Sequence, residues 1–133
     1  MNLVEKLIRM DKSEFTKRET KKIKSKRLSK LLGEDTEITI QAVSGKRATD
    51  IMTMCMDRNG NKDYSKTYDI NIMYCVEGII EPPMKDNTII EHFGVKTPKD
   101  LVSILFDTEV GQIATEIINL SGLGTDTEEE IKN

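Results

Sequence analysis

Three interruptions cut the apolar stretch from Asp69 to Leu123 into short segments: Glu81-Pro82-Pro83, Phe93-Gly94 and Ser121-Gly122. Proline cannot continue a helix and forces the residue before it towards extended geometry, while glycine after a helical run marks its left-handed end. The stretch must therefore fold as several short helices. Tyr68, Ile72, Cys75, Val76 and Ile79 recur at helical spacing and predict an amphipathic helix from Thr67, stopped by Pro82-Pro83. Asp86 is placed to cap a second helix holding Ile89, Ile90 and Phe93, with Gly94 just past its end. Thr97-Pro98-Lys99-Asp100 reads as a helix start: a capping hydroxyl, proline at the first position and an acid in the first turn. Leu101, Val102 and Leu105 supply the inner face of that helix. Thr108-Glu109 opens the last one, which buries Val110, Ile113, Ala114, Ile117 and Ile118 before Gly122.

Upstream of this stretch the pattern changes. Thr36–Val43 alternates, with Ile38, Ile40 and Ala42 on one side, and predicts a strand after the turn Gly33-Glu34-Asp35. One strand cannot stand alone; its expected partner is Lys26–Leu32 or another copy of the chain. Ser44 is a helix cap, followed by Ala48, Ile51, Met52 and Cys55 on one helical face. Leu3, Val4, Leu7 and Ile8 form a short amphipathic turn or two. Ser13, Glu14 and Thr16, with Glu19 beyond, suggest a helix start for a run with few apolar residues, ended by Gly33. Like charges crowd along such a helix and leave it marginal on its own.

The charge is unevenly distributed. Residues 1–32 hold 11 Lys and Arg against 4 Asp and Glu, a balance of +7; residues 33–133 hold 9 against 19, a balance of −10. A basic arm can contact nucleic acid or dock on an acidic protein surface. Stacking aromatics, which single-strand binders use, are limited in the arm to Phe15, so protein docking or plain solvation is favoured over nucleic acid. The tail from Gly124, GTDTEEEIKN, is acidic and lacks aromatics, a composition expected to be disordered.

Residue types that carry chemistry are sparse. His92 is the single histidine, and no Cys pair at ligand spacing joins it, so zinc ligation is not expected. Phosphate-binding and nucleophile-elbow motifs are absent. Asp57, Asn59, Asn61 and Asp63 imitate the start of a calcium loop. Lys62 and Tyr68, however, stand where that loop needs Gly and a bidentate Glu, and a solvated turn is expected. Cys55 and Cys75 lie in apolar stretches and read as buried free thiols. No catalytic residue, metal or cofactor is predicted, and the chain is read as a non-enzyme. With no 20-residue apolar run and no secretory signal, a cytoplasmic protein without membrane contact is expected.

With three Phe, three Tyr and no Trp, the core must rest on Ile, Leu and Val, with the seven Met as adaptable filler. The predicted architecture is a mainly α (α+β) fold. A basic helical arm over 1–33 precedes a compact helical domain over 34–123 with one small strand or hairpin, and the acidic tail follows over 124–133. Met52, Met54 and Met56 cannot all face one core from a single helix. They either serve the core with incidental exposure or turn Met54 and Met56 towards a partner; Met54 and Met56, together with Phe15 and Ile23 of the arm, are the candidate partner-binding residues.

The order of landmarks resembles the XkdN/YqbN-like family of phage tail assembly chaperones, known from contractile-tailed phages, defective prophages and phage-like bacteriocins of Gram-positive bacteria. The resemblance runs from about Glu37 to Gly124. It is carried by EITIQAVS leading into a helix, YDINIMYCVEGII followed by Glu81-Pro82-Pro83-Met84-Lys85-Asp86, the short helix closing on Phe93-Gly94, and LVSILFDTEVGQIATEIINLSGLG. The basic 11–30 segment and the acidic tail fall outside it. The resemblance implies a non-catalytic protein made during tail morphogenesis, which binds the tape measure protein, keeps it soluble and recruits tail tube subunits. Self-association is also expected. Two other readings of the chain remain: a small nucleic-acid-binding or regulatory protein using the basic arm, and a minor structural subunit retained in the tail.

Overall fold

The computed structural model describes residues 1–123; the expected disorder of the acidic tail lies outside the described residues. Helices dominate, around a small sheet. Two short helices, α1 (Leu3–Ile8) and α2 (Lys12–Thr16), lead into strand β1 (Thr20–Lys24), helix α3 (Lys26–Leu32) and strand β2 (Glu37–Gln41). Then come α4 (Gly45–Thr53), α5 (Thr67–Gly78), β3 (Ile79–Glu81), α6 (Asn87–His92), α7 (Pro98–Phe106) and α8 (Val110–Leu120). Single 3₁₀ turns precede α5 and α8. The fold is α+β, as the pattern predicts, with a three-stranded antiparallel sheet as its β element.

The predicted strand 36–43 is the middle strand, and neither expected partner is the one it takes. It pairs with β1, which sets Ile23 opposite Ile38 and Lys21 opposite Ile40, and with β3, which sets Ile79 opposite Ile40. The long arm helix is correspondingly broken. As a helix, Lys17–Lys30 would stack like charges one turn apart. As a strand, Thr20–Lys24 sends successive side chains to opposite faces, so that Ile23 packs on the core and Lys21 reaches Glu116 at 2.9 Å. Lysines on this outer strand also discourage further strand pairing.

The core is centred on α5, β2 and α8. Ile38 and Ile40, two residues apart on β2, are both fully buried, as alternation requires. Helix α5 is buried nearly all round, through Ile70, Ile72, Tyr74, Cys75 and Val76, whereas Tyr68, placed by the sequence on its inner stripe, is exposed. The helix also ends four residues before Pro82. At Gly78 a Cβ would lie 2.5–2.8 Å from three side-chain carbons of Ile117. The bare backbone there lets α8 come close, and the chain leaves the helix at Ile79 to join the sheet. The Met residues do little of the predicted filling: Met84 is buried, but Met1, Met10, Met52, Met54 and Met56 are exposed.

The later caps follow the sequence closely. Asp86 accepts from the Thr88 amide and Thr97 from the Asp100 amide; Gly94 and Gly122 take positive φ at the ends of α6 and α8. Ser121 links α8 to the end of β2 by accepting from the Val43 amide at 2.8 Å.

Candidate protein-binding groove

Helix α3 has no residue of its own fully buried; Leu28 packs against the core, and polar contacts at the N-terminal end of the helix help to fix its position. Ser25 caps it, accepting from the Leu28 amide at 3.1 Å. The Ser25 hydroxyl, itself buried, donates to Glu109 at 2.7 Å, and the other oxygen of that carboxylate accepts from the Lys26 amide at 2.9 Å. A carboxylate at a helix N-terminus meets both unpaired N–H groups and the positive end of the helix dipole. Glu109 gets there because the chain turns sharply after α7, with Asp107 at a φ of 44°. In the other direction, Arg27 donates from Nε to the Leu105 carbonyl at 3.1 Å and from the guanidinium to that of Ile104 at 3.3 Å. These carbonyls lie at the C-terminal end of α7. The turn after α7 thus satisfies the start of α3, and α3 satisfies the end of α7.

Beside these polar contacts lies an apolar groove of about 580 Å³. One wall is α3, through Leu28, Leu31 and Leu32; the other is α7, through Ile104 and Leu105. Ile89 and Phe93 from α6, and Pro82, complete the lining, with Arg27 as its one charged member. Leu31 and Leu32 are 68% and 63% exposed, Phe93 43% and Ile104 45%. Large aliphatic and aromatic side chains held open on adjoining helices mark an interaction surface.

The candidate partner-binding residues are placed apart from this groove and from one another. Met54 ends α4 and lines a shallow depression with Lys66, Asp69, Ile70 and Lys99. Met56 sits beyond α4, beside a second apolar cleft shared with Met52, Tyr74 and Ile118. Ile23 is half-buried against Ile113, and Phe15 is exposed on α2. Leu31, Leu32, Phe93 and Ile104 were not singled out from sequence. Their only signal is local: Leu28, Leu31 and Leu32 form an apolar face on a helix otherwise made of Lys, Arg and Ser.

Other polar groups flagged by the sequence are held in local structure. Asp57 accepts from the amides of Asn59 and Asn61, which closes the polar turn on its own carboxylate. Asp63 is held below the usual carboxylate range by the hydroxyl and amide of Ser65. Cys55 and Cys75 are free and buried, and burial pushes the Cys75 thiol up to about 12. Burial likewise raises the Tyr74 phenol. Among the described residues no three His, Cys, Asp or Glu side chains gather as a metal site, and no helix is long and apolar enough to cross a membrane.

A family model described as phage XkdN-like tail assembly chaperone protein matches residues 4–133. The chain belongs to this family. The match takes in the basic 11–30 segment and the acidic tail, beyond the Glu37–Gly124 span over which the landmarks show the resemblance. No curated protein and no solved structure matches the chain. For a tail assembly chaperone, the surface that receives other proteins is the feature of interest, and the α3–α6–α7 groove is the most apolar opening described above.

Proposed function

We propose that this XkdN-like chaperone binds the tape measure protein in the host cytoplasm, keeps it soluble before the tube encloses it, and brings tail tube subunits to it. A tape measure is a long helix with an apolar seam, which aggregates unless covered. The observation that carries this reading is the open groove between α3, α6 and α7, lined by Leu31, Leu32, Phe93 and Ile104, in a member of a tail assembly chaperone family. Helix-in-groove recognition uses such surfaces, with apolar anchors recurring along one face of the guest. The exposed Met54 and Met56, with Phe15 and Ile23 of the N-terminal segment, are proposed as secondary contacts, since Met side chains adapt to irregular partners. Self-association belongs to the same proposal. The role is non-catalytic.

Co-expression tests it. The tape measure protein encoded with this chain is produced alone and with the chaperone, and its soluble fraction is measured. The expected result is an insoluble tape measure alone and a soluble complex containing both. If the tape measure is equally soluble without the chaperone, or never co-purifies with it, the proposal fails. Finding the chaperone in purified particles would instead favour a structural subunit retained in the tail.

A further inference from the structure

We infer that the α3–α6–α7 groove is specific for an amphipathic helix that carries acidic side chains beside its apolar stripe. This names the partner chemistry of the proposed client site and rests on that reading. The apolar part follows from the lining: Leu31, Leu32, Phe93 and Ile104 are open to solvent on three adjoining helices. The groove is also preorganised. Glu109 and Arg27 fasten α3 to the α7–α8 corner, so little ordering remains to be done when a guest enters.

The acidic part follows from charge. Helix α3 bears Lys26, Arg27 and Lys30 and no acid, and no carboxylate lines the groove. Across the three groove helices the balance is positive, with Lys26, Arg27, Lys30 and Lys99 against Glu91 and Asp100, and among the described residues none of the α3 cations takes part in an ion pair. Charges on one helix lie within a Debye length of about 8–10 Å of a guest packed against it. A guest with Glu or Asp along the α3 side therefore gains at each step of approach, and a basic one is repelled. The same criterion rejects the chain's own α1. Its Leu3, Val4, Leu7 and Ile8 are uncovered and could fill an apolar groove, but Lys6 and Arg9 accompany them against the single acid Glu5.

Three fluorescein-labelled synthetic helical peptides test this by anisotropy with the full-length chain. They share one Leu/Ile stripe at i, i+3, i+4 and i+7 and differ only in flanking Glu, Gln or Lys. The Glu peptide is expected to bind at least about tenfold tighter than the Lys peptide at low salt, with the gap closing as salt is raised. Leu31→Asp with Ile104→Asp should abolish binding while the circular dichroism melt stays intact. Lys26→Glu with Lys30→Glu should remove or reverse the preference. Equal affinity for the three peptides, or undiminished binding by the Leu31→Asp/Ile104→Asp variant, overturns the inference. So does self-association that is lost on deleting residues 1–10 and competes with the Glu peptide, because it would give the groove to α1. If the groove variant still solubilises the tape measure as well as wild type, the inference fails and the chaperone reading survives. If the Glu peptide binds as expected but the tape measure is never solubilised, the chaperone reading fails and the groove's preference stands.

Discussion

The α5–α8 seam and the α3–α6–α7 groove are built from the same kinds of residue and end in opposite states. At the seam, Gly78 removes a side chain so that Ile117 can settle against backbone, and Ile72, Cys75, Ile113 and Ala114 are buried around it. At the groove, α3 is held at its N-terminal end, through Glu109 and Arg27, and the apolar side chains beyond that end face solvent. Apolar composition thus does not decide whether a surface closes. Backbone approach closes the first surface, and polar fastening at one end of α3 leaves the second one open. The seam should therefore hold most of the stability and the groove most of the binding.

The largest effects are expected at the seam. Ile117→Ala removes a fully buried side chain and should cost about 2–5 kcal/mol. Gly78→Ala pushes a methyl into Ile117, which has no exposed side to retreat to, and should cost about 1–3 kcal/mol. Urea unfolding measures both. A Gly78→Ala variant as stable as wild type would mean that the seam has slack and that the contrast with the groove is overstated.

Glu109→Ala probes the fastening itself. It leaves the buried Ser25 hydroxyl without an acceptor and the Lys26 amide unpaired, for about 1–3 kcal/mol. Because α3 would loosen, peptide binding in the groove should weaken along with stability. A variant that loses stability and keeps full binding would show that the groove does not depend on this contact.

What the sequence disclosed, and what it hid, follows the same division. The caps Ser44, Asp86 and Thr97, the strand around Ile38 and Ile40, and the glycine ends at Gly94 and Gly122 are local signals, and all are found in place. The partner of β2 was not legible. Thr20–Lys24 holds one apolar residue among its lysines, and it becomes a strand only because β2 offers backbone partners and Ile23 a place opposite Ile38. The early end of α5 depends on Ile117, 39 positions away from Gly78, which no window of residues reveals. The groove was hidden for a related reason. Periodicity finds the apolar face of α3 but cannot tell whether another element covers it. Met54 and Met56, chosen because three Met cannot share one face, are exposed, but so are Met1 and Met10; exposure of Met does not single out a surface in this chain.

Alkaline pH distinguishes the two regions without a large substitution. Cys75 lies within the seam, and burial holds its thiol at about 12 when folded; in the unfolded chain an ordinary thiol titrates near 8.5. The folded state therefore keeps a proton that the unfolded state releases, so stability is fully present below about pH 8.5 and declines as pH rises towards 12. Tyr74, also raised by burial, acts in the same sense from a higher starting point. Cys75→Ala should flatten the decline between roughly pH 9 and 11, measured by urea midpoints across that range. An unchanged slope would place the titrating group elsewhere.

The smallest stability effect is expected where the binding effect is greatest. Leu31 and Ile104 are exposed, so replacing either with Ser forfeits little buried area, and the cost should stay within about 0.5 kcal/mol. Neither side chain carries a polar contact that fixes α3; those belong to Arg27, Ser25 and Glu109, and the bonds from Arg27 end on backbone carbonyls that survive the change. Leu31→Ser and Ile104→Ser should thus unfold at the wild-type urea midpoint and still lose capture of an amphipathic helix. A loss of 2 kcal/mol or more from either, well above the ~0.5 kcal/mol of an ordinary surface change, would mean that the groove closes in solution and belongs to the core. A stable fold with binding intact would move the client surface to the Met52–Met56 cleft, a second apolar opening lined by exposed side chains among the described residues.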